Sequence, residues 1–280
     1  MKTSRKIAAA RVMQRTLTWP RRLMGKGCEA LVQRGGRRWH LDLCEGIDFS
    51  IWLLGSFEPR TIALYRRLVR PGSVVLDVGA NIGAHTIPLA GLVGADGRVH
   101  AFEASEWAFE KMDRNLASNP ELVPRVTANH CFLTDGTDAQ FYAKEIYSSW
   151  PLDARDALHP QHRGELKAIG RAVRTSLDKY AAEQQLKRVD LIKIDVDGNE
   201  LPVLRGGSRS ISRWLPPMVI ELAPYVCREA GHDFPALIGL LRDLGYRQVD
   251  VIGKRRRYPL EASLERVIPI GASINALLTP

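Results

Sequence analysis

The sequence predicts an α/β fold in which helices cover both faces of a mostly parallel sheet. Three features indicate this fold. Apolar, β-branched runs at residues 73–79 and 189–195 are typical of strands that are buried on both faces. Segments with helical periodicity alternate with such runs, and turn residues separate the two kinds of segment. Strands that alternate with helices at this spacing imply right-handed crossover connections and parallel pairing.

The first part of the chain leads into this sheet. Residues 1–45 show no strong period beyond a possible basic helix, and residues 46–58 are typical of a short lead-in strand and turn. Residues 58–69 predict a helix that stops at Pro71-Gly72. The apolar stripe of this helix consists of Ile62, Tyr65, Leu68 and Val69.

The remaining elements follow in chain order. Strands are predicted at residues 73–79, 98–103, 125–133, 189–195, 217–221 and 246–252. Helices are predicted at about residues 84–93, 106–118, 176–186, 200–205 and 234–244. The segment 134–185 is less regular, with a possible hairpin around Gln140–Lys144 and a polar loop through Pro160. We therefore expect one domain over residues 46–280, preceded by a basic N-terminal extension over residues 1–45.

The composition is that of a globular protein, with 45% hydrophobic and 25% charged residues among 280. No apolar run approaches the roughly 20 residues that a membrane-spanning helix needs. Basic residues precede the first acidic residue, Glu29, and no continuous apolar segment follows them, which argues against a secretory signal. We expect a frayed, solvated arm here. A transit peptide and a helix that contacts a membrane surface are the alternatives.

The cysteines and the net charge indicate the redox compartment and the kind of partner to expect. Cys28, Cys44, Cys131 and Cys227 lie far apart and form no C-x-x-C pair. This spacing argues against a zinc site and a disulfide framework, and it favours a reducing, cytoplasmic setting. The formal net charge of +9 suits an anionic partner such as nucleic acid or a membrane. Basic runs are usually solvated loops, however, so this charge is a weak indication of a partner.

A ligand-binding turn is predicted at Leu76-Asp-Val-Gly-Ala-Asn-Ile-Gly83, where a central strand meets its helix. Gly79 and Gly83 allow close approach to the backbone and unusual dihedral angles. Asp77 can accept hydrogen bonds from an ammonium group or a ribose. Glu103 lies 20 residues beyond Gly83, at the end of the next strand, where a carboxylate can bind both ribose hydroxyls. The pattern is not the dinucleotide fingerprint, because Asn81 replaces its second glycine.

A second motif, Val-Asp-Leu-Ile-Lys-Ile-Asp-Val-Asp-Gly-Asn-Glu, spans residues 189–200 and is closed by Val-Leu-Arg-Gly-Gly at 203–207. Together with Leu76–Gly83 and Phe102-Glu103, this motif resembles the FkbM-type family of class I S-adenosylmethionine-dependent methyltransferases. The resemblance covers roughly residues 46–225 and includes Leu177-Asp178 and the lead-in Gly-Ser-Phe-Glu-Pro at 55–59. Asp197 departs from the family, which often has glutamate there.

The resemblance implies a Rossmann-like class I methyltransferase fold with a mostly parallel seven-stranded sheet. It also implies S-adenosyl-L-methionine as the cofactor and transfer to an oxygen atom. The acceptor is left open among sugars, glycoconjugates and other small hydroxylated metabolites. The expected cofactor-binding residues are Asp77, Gly79, Ala80, Asn81, Gly83, Glu103 and Asp135.

The strand at 189–195 supplies the predicted catalytic residues. Asp195 is the expected general base or acceptor-orienting group, because it ends this strand beside the expected methyl position. Lys193 shares a face with Asp195 and needs a partner in a buried strand. That partner is a carboxylate of the site, or else Asp178 or Asp190.

Asp197 and Glu200 are further catalytic candidates, with capping of the following helix as the alternative for both. The Asp-x-Asp-Gly-x-Glu cluster also suits a divalent cation, but the full EF-hand pattern is missing and no metal is expected. Glu221 is a weaker candidate for the acceptor pocket, and His85 is expected to pack inside the helix layer.

The sequence therefore predicts an O-methyltransferase whose acceptor pocket comes from residues 46–60 and 134–175. Nucleic-acid methylation is a rival suggested by the net charge. Asp195-Val-Asp-Gly stands where amino-methylating enzymes often carry an Asn/Asp-Pro-Pro-Tyr/Phe loop, which argues against that rival. A cofactor-binding scaffold without turnover is the non-enzymatic alternative.

Overall fold

The computed structural model describes residues 3–137, 144–153, 158–160, 162–254 and 256–280. Its main feature is a nine-stranded sheet. In chain order, the strands of this sheet are β3 (Val74–Val78), β4 (Arg98–Glu103), β5 (Val126–Thr134), β8 (Val173–Ser176), β9 (Leu191–Ile194), β10 (Met218–Leu222), β11 (Gln248–Val251), β12 (Arg257–Pro259) and β13 (Ile274–Thr279). Two short hairpins, β1 (Glu29–Arg34) with β2 (Arg37–Asp42) and β6 (Glu145–Ser149) with β7 (Glu165–Ala168), lie outside it.

The strand order across the sheet is β12-β11-β13-β10-β9-β3-β4-β5-β8. The six strands from β10 to β8 pair in parallel, whereas β13 is antiparallel to both β10 and β11. The seven strands from β11 to β5 match the expected seven-stranded sheet, and the edge strands β12 and β8 extend it to nine. All six strands predicted from the sequence are present. The sequence patterns did not predict β13, β8 or β12.

The helices pack on both faces of this sheet, as the sequence predicts. In chain order they are α1 (Thr3–Leu23), α2 (Gly46–Leu54), α3 (Pro59–Leu68), α4 (Thr86–Leu92), α5 (Glu106–Ala117), α6 (Leu177–Glu183), α7 (Glu200–Gly206), α8 (Ser208–Trp214), α9 (Pro224–Glu229) and α10 (Phe234–Asp243). Helices α3, α4 and α5 share one apolar core with Val75, whereas α6, α7, α8 and α10 share the other with Leu76. Successive strand residues point to opposite faces, which separates the two cores.

The N-terminal region is more ordered than the frayed arm expected from its composition. Trp39 and Leu41 of β2 are buried in the same core as α3 and α5. The side-chain oxygens of Asn115 and Asn119 accept hydrogen bonds from the backbone N–H groups of His40 and Arg38. The hairpin is therefore fixed to α5. The division of the chain at residue 45 stays a prediction.

Residues 46–54 form helix α2, so the prediction of a lead-in strand there is wrong. A short, mostly apolar run does not distinguish a strand from a buried helix. Here the helix ends at Gly55, which adopts φ 81° and donates its N–H to the Ile51 carbonyl. Asp48 is buried within the helix and accepts hydrogen bonds from the Asp42 N–H and from Lys111 Nζ. Such long-range partners are invisible in the local pattern.

Cys28 and Cys44 form a disulfide, which contradicts the argument from cysteine spacing. The two residues are 16 apart in sequence, but the β1–β2 hairpin pairs Glu29 with Asp42 and so brings its flanking cysteines together. Cys131 and Cys227 are free and buried. Among the described helices, none has the length and apolar character that crossing a bilayer requires. The hairpin expected around Gln140–Lys144 falls largely outside the described residues.

Candidate active site

A cavity of about 950 Å³ opens at the carboxyl ends of the central strands. Strand β3 is flanked by β4 on one side and by β9 on the other, so the connections change direction at this point of the sheet. Ligands of open α/β sheets bind at such a switch point. Of the predicted site residues, the cavity is lined by Gly79, Ala80, Asn81, Glu103, Lys193, Asp195 and Asp197. Asp77, Gly83, Asp135 and Glu200 are not among its lining residues.

The turn after β3 has the unusual backbone that its glycines predict. Gly79, Asn81 and Gly83 adopt φ values of 77°, 49° and 85°. A Cβ on Gly79 would lie 1.8 Å from the Asp195 carbonyl oxygen. Gly79 is therefore required because the turn packs directly on the end of β9, and this contact joins the predicted cofactor turn to the predicted base.

Glu103 ends β4 with both carboxylate oxygens engaged at the cavity wall. Oε2 accepts the Asn81 N–H at 2.8 Å, and Oε1 accepts the Ser105 N–H at 2.8 Å. Burial raises the pKa of Glu103, while these two backbone donors and Lys193 act in the opposite direction. The two backbone bonds fix the orientation of the carboxylate. Each oxygen keeps a further lone pair with which to accept a ligand hydroxyl.

Asp77 is not among the residues that line the cavity, and its expected contact with a ligand stays a prediction. The residue is fully buried. Its Oδ2 accepts a 2.6 Å hydrogen bond from Thr86 Oγ1, and its Oδ1 lies 3.5 Å from Lys193 Nζ. A strand-end position in the sequence does not reveal that a buried lysine from the neighbouring strand stands between the carboxylate and the cavity.

Lys193 joins the two halves of the site. Its Nζ donates to the Gly79 carbonyl at 2.6 Å and lies 3.8 Å from Asp195 Oδ2. The expected pairing with a site carboxylate is thus confirmed, and Asp178 instead accepts the N–H groups of Arg209 and Ser210. Burial lowers the pKa of Lys193, but Asp77 and the neighbouring carboxylates outweigh it and raise the pKa. Lys193 is therefore a cation that orients its neighbours.

The part of the cavity next to the ends of β9 and β10, where we expect the acceptor, holds several carboxyl groups close together. Burial raises the pKa of Asp197 well above its ordinary value, and the charges of Asp195 and Glu200 add to this effect. Burial likewise raises the pKa of Glu221, with Asp195 and Asp197 adding to it. The Asp195 side chain is 30% exposed and lines the cavity. This end of the cavity therefore favours hydrogen-bond donors and cations over anions.

The Glu200 side chain braces the loop ahead of α7, so the predicted helix capping and the predicted catalytic role both stay predictions. Its Oε1 accepts hydrogen bonds from the N–H groups of Val196 and Gly198, both at 3.3 Å. Burial raises its pKa to about 7. Because Glu200 is buried beneath the loop after β9 and does not line the cavity, it supports the loop that carries Asp195 and Asp197.

Asp135 is exposed after β5, outside the cavity lining. Its Oδ1 accepts hydrogen bonds from the backbone N–H and the hydroxyl of Thr137. These bonds form a local turn, and the expected role of Asp135 in cofactor binding stays a prediction. Phe132, Leu133 and Ala104 provide the apolar lining at this side of the cavity.

Glu58 is a site residue that the sequence patterns did not single out. It lines the cavity, precedes helix α3 with φ 46°, and accepts hydrogen bonds from Thr61 Oγ1 and Asn275 Nδ2. Burial and the nearby Asp195 charge raise its pKa. The Glu-Pro pair in the lead-in resembling the family was the available signal. Its approach to Asp195 depends on how α3 packs on the sheet.

His85 also lines the cavity, where the sequence predicts a packing role. Neither ring nitrogen has a hydrogen-bond partner among the described residues, and Nε2 lies 3.8 Å from Glu58 Oε2. Phe57 and Tyr65 contact the ring edge-on. Burial, with the Lys193 charge, holds the pKa of His85 well below its ordinary value. Its neutral ring packs in the helix layer at the cavity wall, with both nitrogens buried.

The two segments expected to form the acceptor pocket both line the cavity. Gly46, Ser50 and Phe57 come from the first, and Tyr147, Ser148 and Trp150 come from the second. Asn81 Nδ2 donates to the Ser148 carbonyl at 2.9 Å, which ties strand β6 to the turn after β3. Two groups in the described chain have the spacing of metal ligands, Cys28-Asp42-Cys44 and His159-His162-Glu229, and neither includes Asp195, Asp197 or Glu200.

Comparisons with known proteins place this cavity in a family. The model of the methyltransferase FkbM domain matches residues 77–248. Methyltransferase sdnD of Sordaria araneosa is 27% identical over 195 residues, covering 61% of this chain and 73% of that protein. Methyltransferase 1 of Beauveria bassiana (strain ARSEF 2860) is 28% identical over 189 residues, covering 62% and 72%.

Solved structures were compared as well. An FkbM methyltransferase from Methylobacillus flagellatus KT aligns with a TM-score of 0.44 and 17% identity over 78% of this chain. The aligned part is 50% of that protein, so the chain spans about half its length. An S-adenosylmethionine-dependent O-methyltransferase from Thermotoga maritima aligns with a TM-score of 0.44 and 15% identity, covering 92% and 80%. Because the family model matches more than half of the sequence, the chain belongs to the FkbM family of methyltransferases, whose cofactor is S-adenosyl-L-methionine.

Proposed function

We propose that the protein transfers the methyl group of S-adenosyl-L-methionine to a hydroxyl oxygen of a small hydroxylated acceptor, such as a sugar or glycoconjugate. One observation carries this proposal. A single cavity joins the glycine turn and Glu103 at one end to Glu58, Asp195, Asp197 and Glu221 at the other. Its volume of about 950 Å³ lies at the upper end of the range for small-molecule sites, which suits a cofactor together with an acceptor.

The residues present fit the cofactor. The backbone of Gly79, Ala80 and Asn81 lines the cavity beside the fixed carboxylate of Glu103. These groups would hold the amino-acid and ribose parts of the cofactor. Phe132 and Leu133 offer apolar surface for its adenine ring. When bound, S-adenosyl-L-methionine supplies a methyl group that is already activated by its sulfonium. The protein therefore has mainly to orient the acceptor oxygen, an effect worth roughly 7–11 kcal/mol.

Asp195 is the proposed general base. The Asp195 carboxylate would accept the proton of the acceptor hydroxyl, while the cofactor would supply the methyl group and leave as S-adenosylhomocysteine when its methyl–sulfur bond breaks. Lys193, 3.8 Å from Asp195 Oδ2, keeps the carboxylate in place. Positioned bases of this kind contribute about 100- to 10,000-fold to rate. In this proposal Glu200 only supports the loop after β9, and Lys193 only holds the Asp195 carboxylate in place.

The carboxylate-rich end of the cavity supports a polyhydroxylated acceptor. Carboxylates accept hydrogen bonds from hydroxyl groups, and several at one site suit a ligand with several hydroxyls. The carboxylate of Asp195, the proposed base, opposes entry of a phosphodiester backbone, so the net charge of +9 is a poor argument for nucleic acid as the acceptor.

An acceptor screen tests this function. The purified protein is incubated with S-adenosyl-L-methionine and a panel of sugars and glycoconjugates, with matched deoxy compounds as controls. We expect S-adenosylhomocysteine release and a methyl ether whose oxygen attachment is verified by NMR. Methylation of amines alone contradicts the proposal. Tight binding of S-adenosylhomocysteine without turnover of any acceptor in the panel favours the scaffold alternative.

We propose a cytoplasmic location as a separate point, and the Cys28–Cys44 disulfide makes it testable. Thiols are counted in protein taken from its native cells under alkylating conditions. A reducing compartment gives four reactive thiols after denaturation, because the sequence has four cysteines. If the disulfide persists, only the two thiols of Cys131 and Cys227 react, and that result contradicts the cytoplasmic proposal.

A further inference from the structure

Helix α1 exposes its large apolar side chains to solvent and buries polar ones against the domain, which is the reverse of the usual arrangement in a surface helix. Gln14 and Thr18 are buried. Six large apolar side chains of α1 and the turn that follows it are between 41% and 67% exposed: Val12, Met13, Leu17, Trp19, Leu23 and Met24. At 100° per residue these six fall within an arc of about 160°, opposite Gln14 and Thr18. The helix therefore turns a polar stripe to the domain and an apolar stripe to the outside.

An apolar stripe of this size marks an interaction surface. Single exposed apolar residues are ordinary on a protein surface, but a contiguous group indicates a partner or a membrane. Trp19 is 60% exposed and lies at one edge of the stripe. Tryptophan is enriched where an apolar phase meets water, because its ring is apolar and its N–H is polar.

The charge of this region indicates which partner fits. Eight basic residues and no acidic residue precede Glu29 in the sequence. Arg15 is exposed on the helix, and Lys26 is exposed just beyond it. A basic helix with one apolar face and a tryptophan has the chemistry of helices that lie in the plane of an anionic bilayer. A protein partner would need an apolar groove ringed by acidic groups to match the same surface.

The buried face of α1 lies beside the cavity. Ala10 is one of the cavity-lining residues, and Arg11 Nη2 donates to the Asp153 carbonyl at 3.3 Å. Gln14 Nε2 contacts Cys44 Sγ at 3.7 Å, close to the start of α2, which also lines the cavity. A surface bound by α1 would therefore lie next to the cavity and its proposed acceptor site.

We propose that α1 binds the surface of an anionic lipid bilayer, with its apolar stripe inserted among the lipids and its basic residues at the headgroups. Binding brings the cavity to the membrane surface. Where the proposed methyl transfer holds, this placement favours an acceptor that is itself anchored in the membrane, such as a glycoconjugate with a lipid tail.

Vesicle flotation of the full-length protein tests the proposal independently of methyl transfer. The protein is mixed with vesicles of phosphatidylcholine alone or with vesicles in which about a third of the lipid is phosphatidylglycerol. We expect binding to the anionic vesicles, little binding to the neutral ones, and loss of binding as salt is raised. Equal binding to both vesicle types, or binding to neither, overturns the proposal.

Two pairs of matched variants identify the surface. Trp19→Glu is compared with Ile270→Glu, because Ile270 is 94% exposed elsewhere on the protein. Arg15→Glu is compared with Arg213→Glu, since Arg213 is exposed on α8. Each α1 variant is expected to weaken anionic-vesicle binding by about tenfold or more, because a basic residue near such a surface contributes on the order of fivefold. Each control is expected to retain parental binding.

Two further readouts separate this proposal from its rivals. Circular dichroism and titration with S-adenosylhomocysteine should give parental results for all four variants, which shows that a loss of vesicle binding is not a loss of fold. If α1 covers a second copy of the chain, the parent sediments as a dimer, Trp19→Glu as a monomer, and vesicles do not float the protein. That result overturns the proposal.

Discussion

The two ends of the cavity hold their carboxylates in opposite ways. At the cofactor end, Glu103 receives backbone hydrogen bonds from Asn81 and Ser105 and is fixed in one orientation. At the acceptor end, Asp197 and Glu221 lie near one another and near Asp195, and their pKa values are raised. The Glu103 carboxylate therefore has its hydrogen-bond partners before any ligand binds. The carboxyl groups at the other end instead lie close enough to raise one another's pKa values.

This difference suggests what each end is built for. A preorganised carboxylate binds an unvarying ligand at little cost, because no group has to be reoriented. Crowded carboxyl groups cost stability on their own and gain it when a ligand supplies hydroxyl donors. Lys193 lies between the ends and contacts both the Gly79 carbonyl and Asp195. Substitutions at the two ends should therefore separate binding of the cofactor from turnover of the acceptor.

The largest expected effect is at the acceptor end. Asp195→Asn removes the proposed base while keeping the shape of the side chain, and we expect kcat to fall by about 100- to 10,000-fold. Calorimetry should show unchanged affinity for S-adenosylhomocysteine. Asp96→Asn, at an exposed turn, is the control and should retain parental kcat. Full turnover by Asp195→Asn would show that another group takes the proton.

The next effect is a loss of stability when the close packing of the Gly79 turn on the Asp195 backbone is disturbed. Gly79→Ala places a Cβ 1.8 Å from the Asp195 carbonyl oxygen, so the turn and β9 must separate. Gly231 has a similar φ of 79° with nothing within 4 Å of an added Cβ, which makes Gly231→Ala the matched control. We expect the control to lose about 1–2 kcal/mol from strain alone and Gly79→Ala to lose about 2–3 kcal/mol more. Denaturant unfolding measures both, and equal losses would contradict the close packing.

A smaller effect is expected at the cofactor end. Glu103→Gln leaves one oxygen and one amide where two acceptors stood, so it loses a charged hydrogen bond worth roughly 1.5–3 kcal/mol. We expect S-adenosylhomocysteine to bind at least about tenfold more weakly, since 1.4 kcal/mol corresponds to tenfold. At saturating cofactor, kcat should change less than the affinity does. A parental affinity, with the fold verified by thermal unfolding, would remove Glu103 from the binding wall.

The last expected effect is that of Glu200 on the free energy of unfolding, and it depends on pH. The folded pKa of Glu200, about 7, lies above the ordinary value of 4.5. Between these values the folded protein keeps a proton that the unfolded chain releases, so the free energy of unfolding falls as the pH rises. Below 4.5 both states are protonated, and above about 7 the loss is complete. We expect Glu200→Gln to remove this fall, which amounts to at most about 3 kcal/mol, as measured by urea unfolding at several pH values. An unchanged pH profile would show that Glu200 ionises normally.

Much of the sheet and one end of the site could be predicted from the sequence. Strands β3 and β9 are continuous apolar runs, and the positive φ angles of Gly79 and Gly83 agree with the glycine spacing. Strand β13 was missed, because it pairs antiparallel between β10 and β11 and so lies outside the alternation of strands and helices on which the prediction rested. Helix α2 was assigned as a strand, since a short apolar run fits either structure.

The sequence by itself determined the order of six sheet strands and of the main helices between them, the turn after β3 and the carboxylate that ends β4, because these follow from local periodicity and spacing. Only the tertiary structure decided that Asp77 is buried 3.5 Å from Lys193, that Glu200 braces a loop, and that Glu58 lies close enough to Asp195 to feel its charge. It also decided that Cys28 meets Cys44 and that α1 turns its apolar face outward. Each of these depends on contacts between residues distant in the chain, and the packing of whole elements sets such contacts.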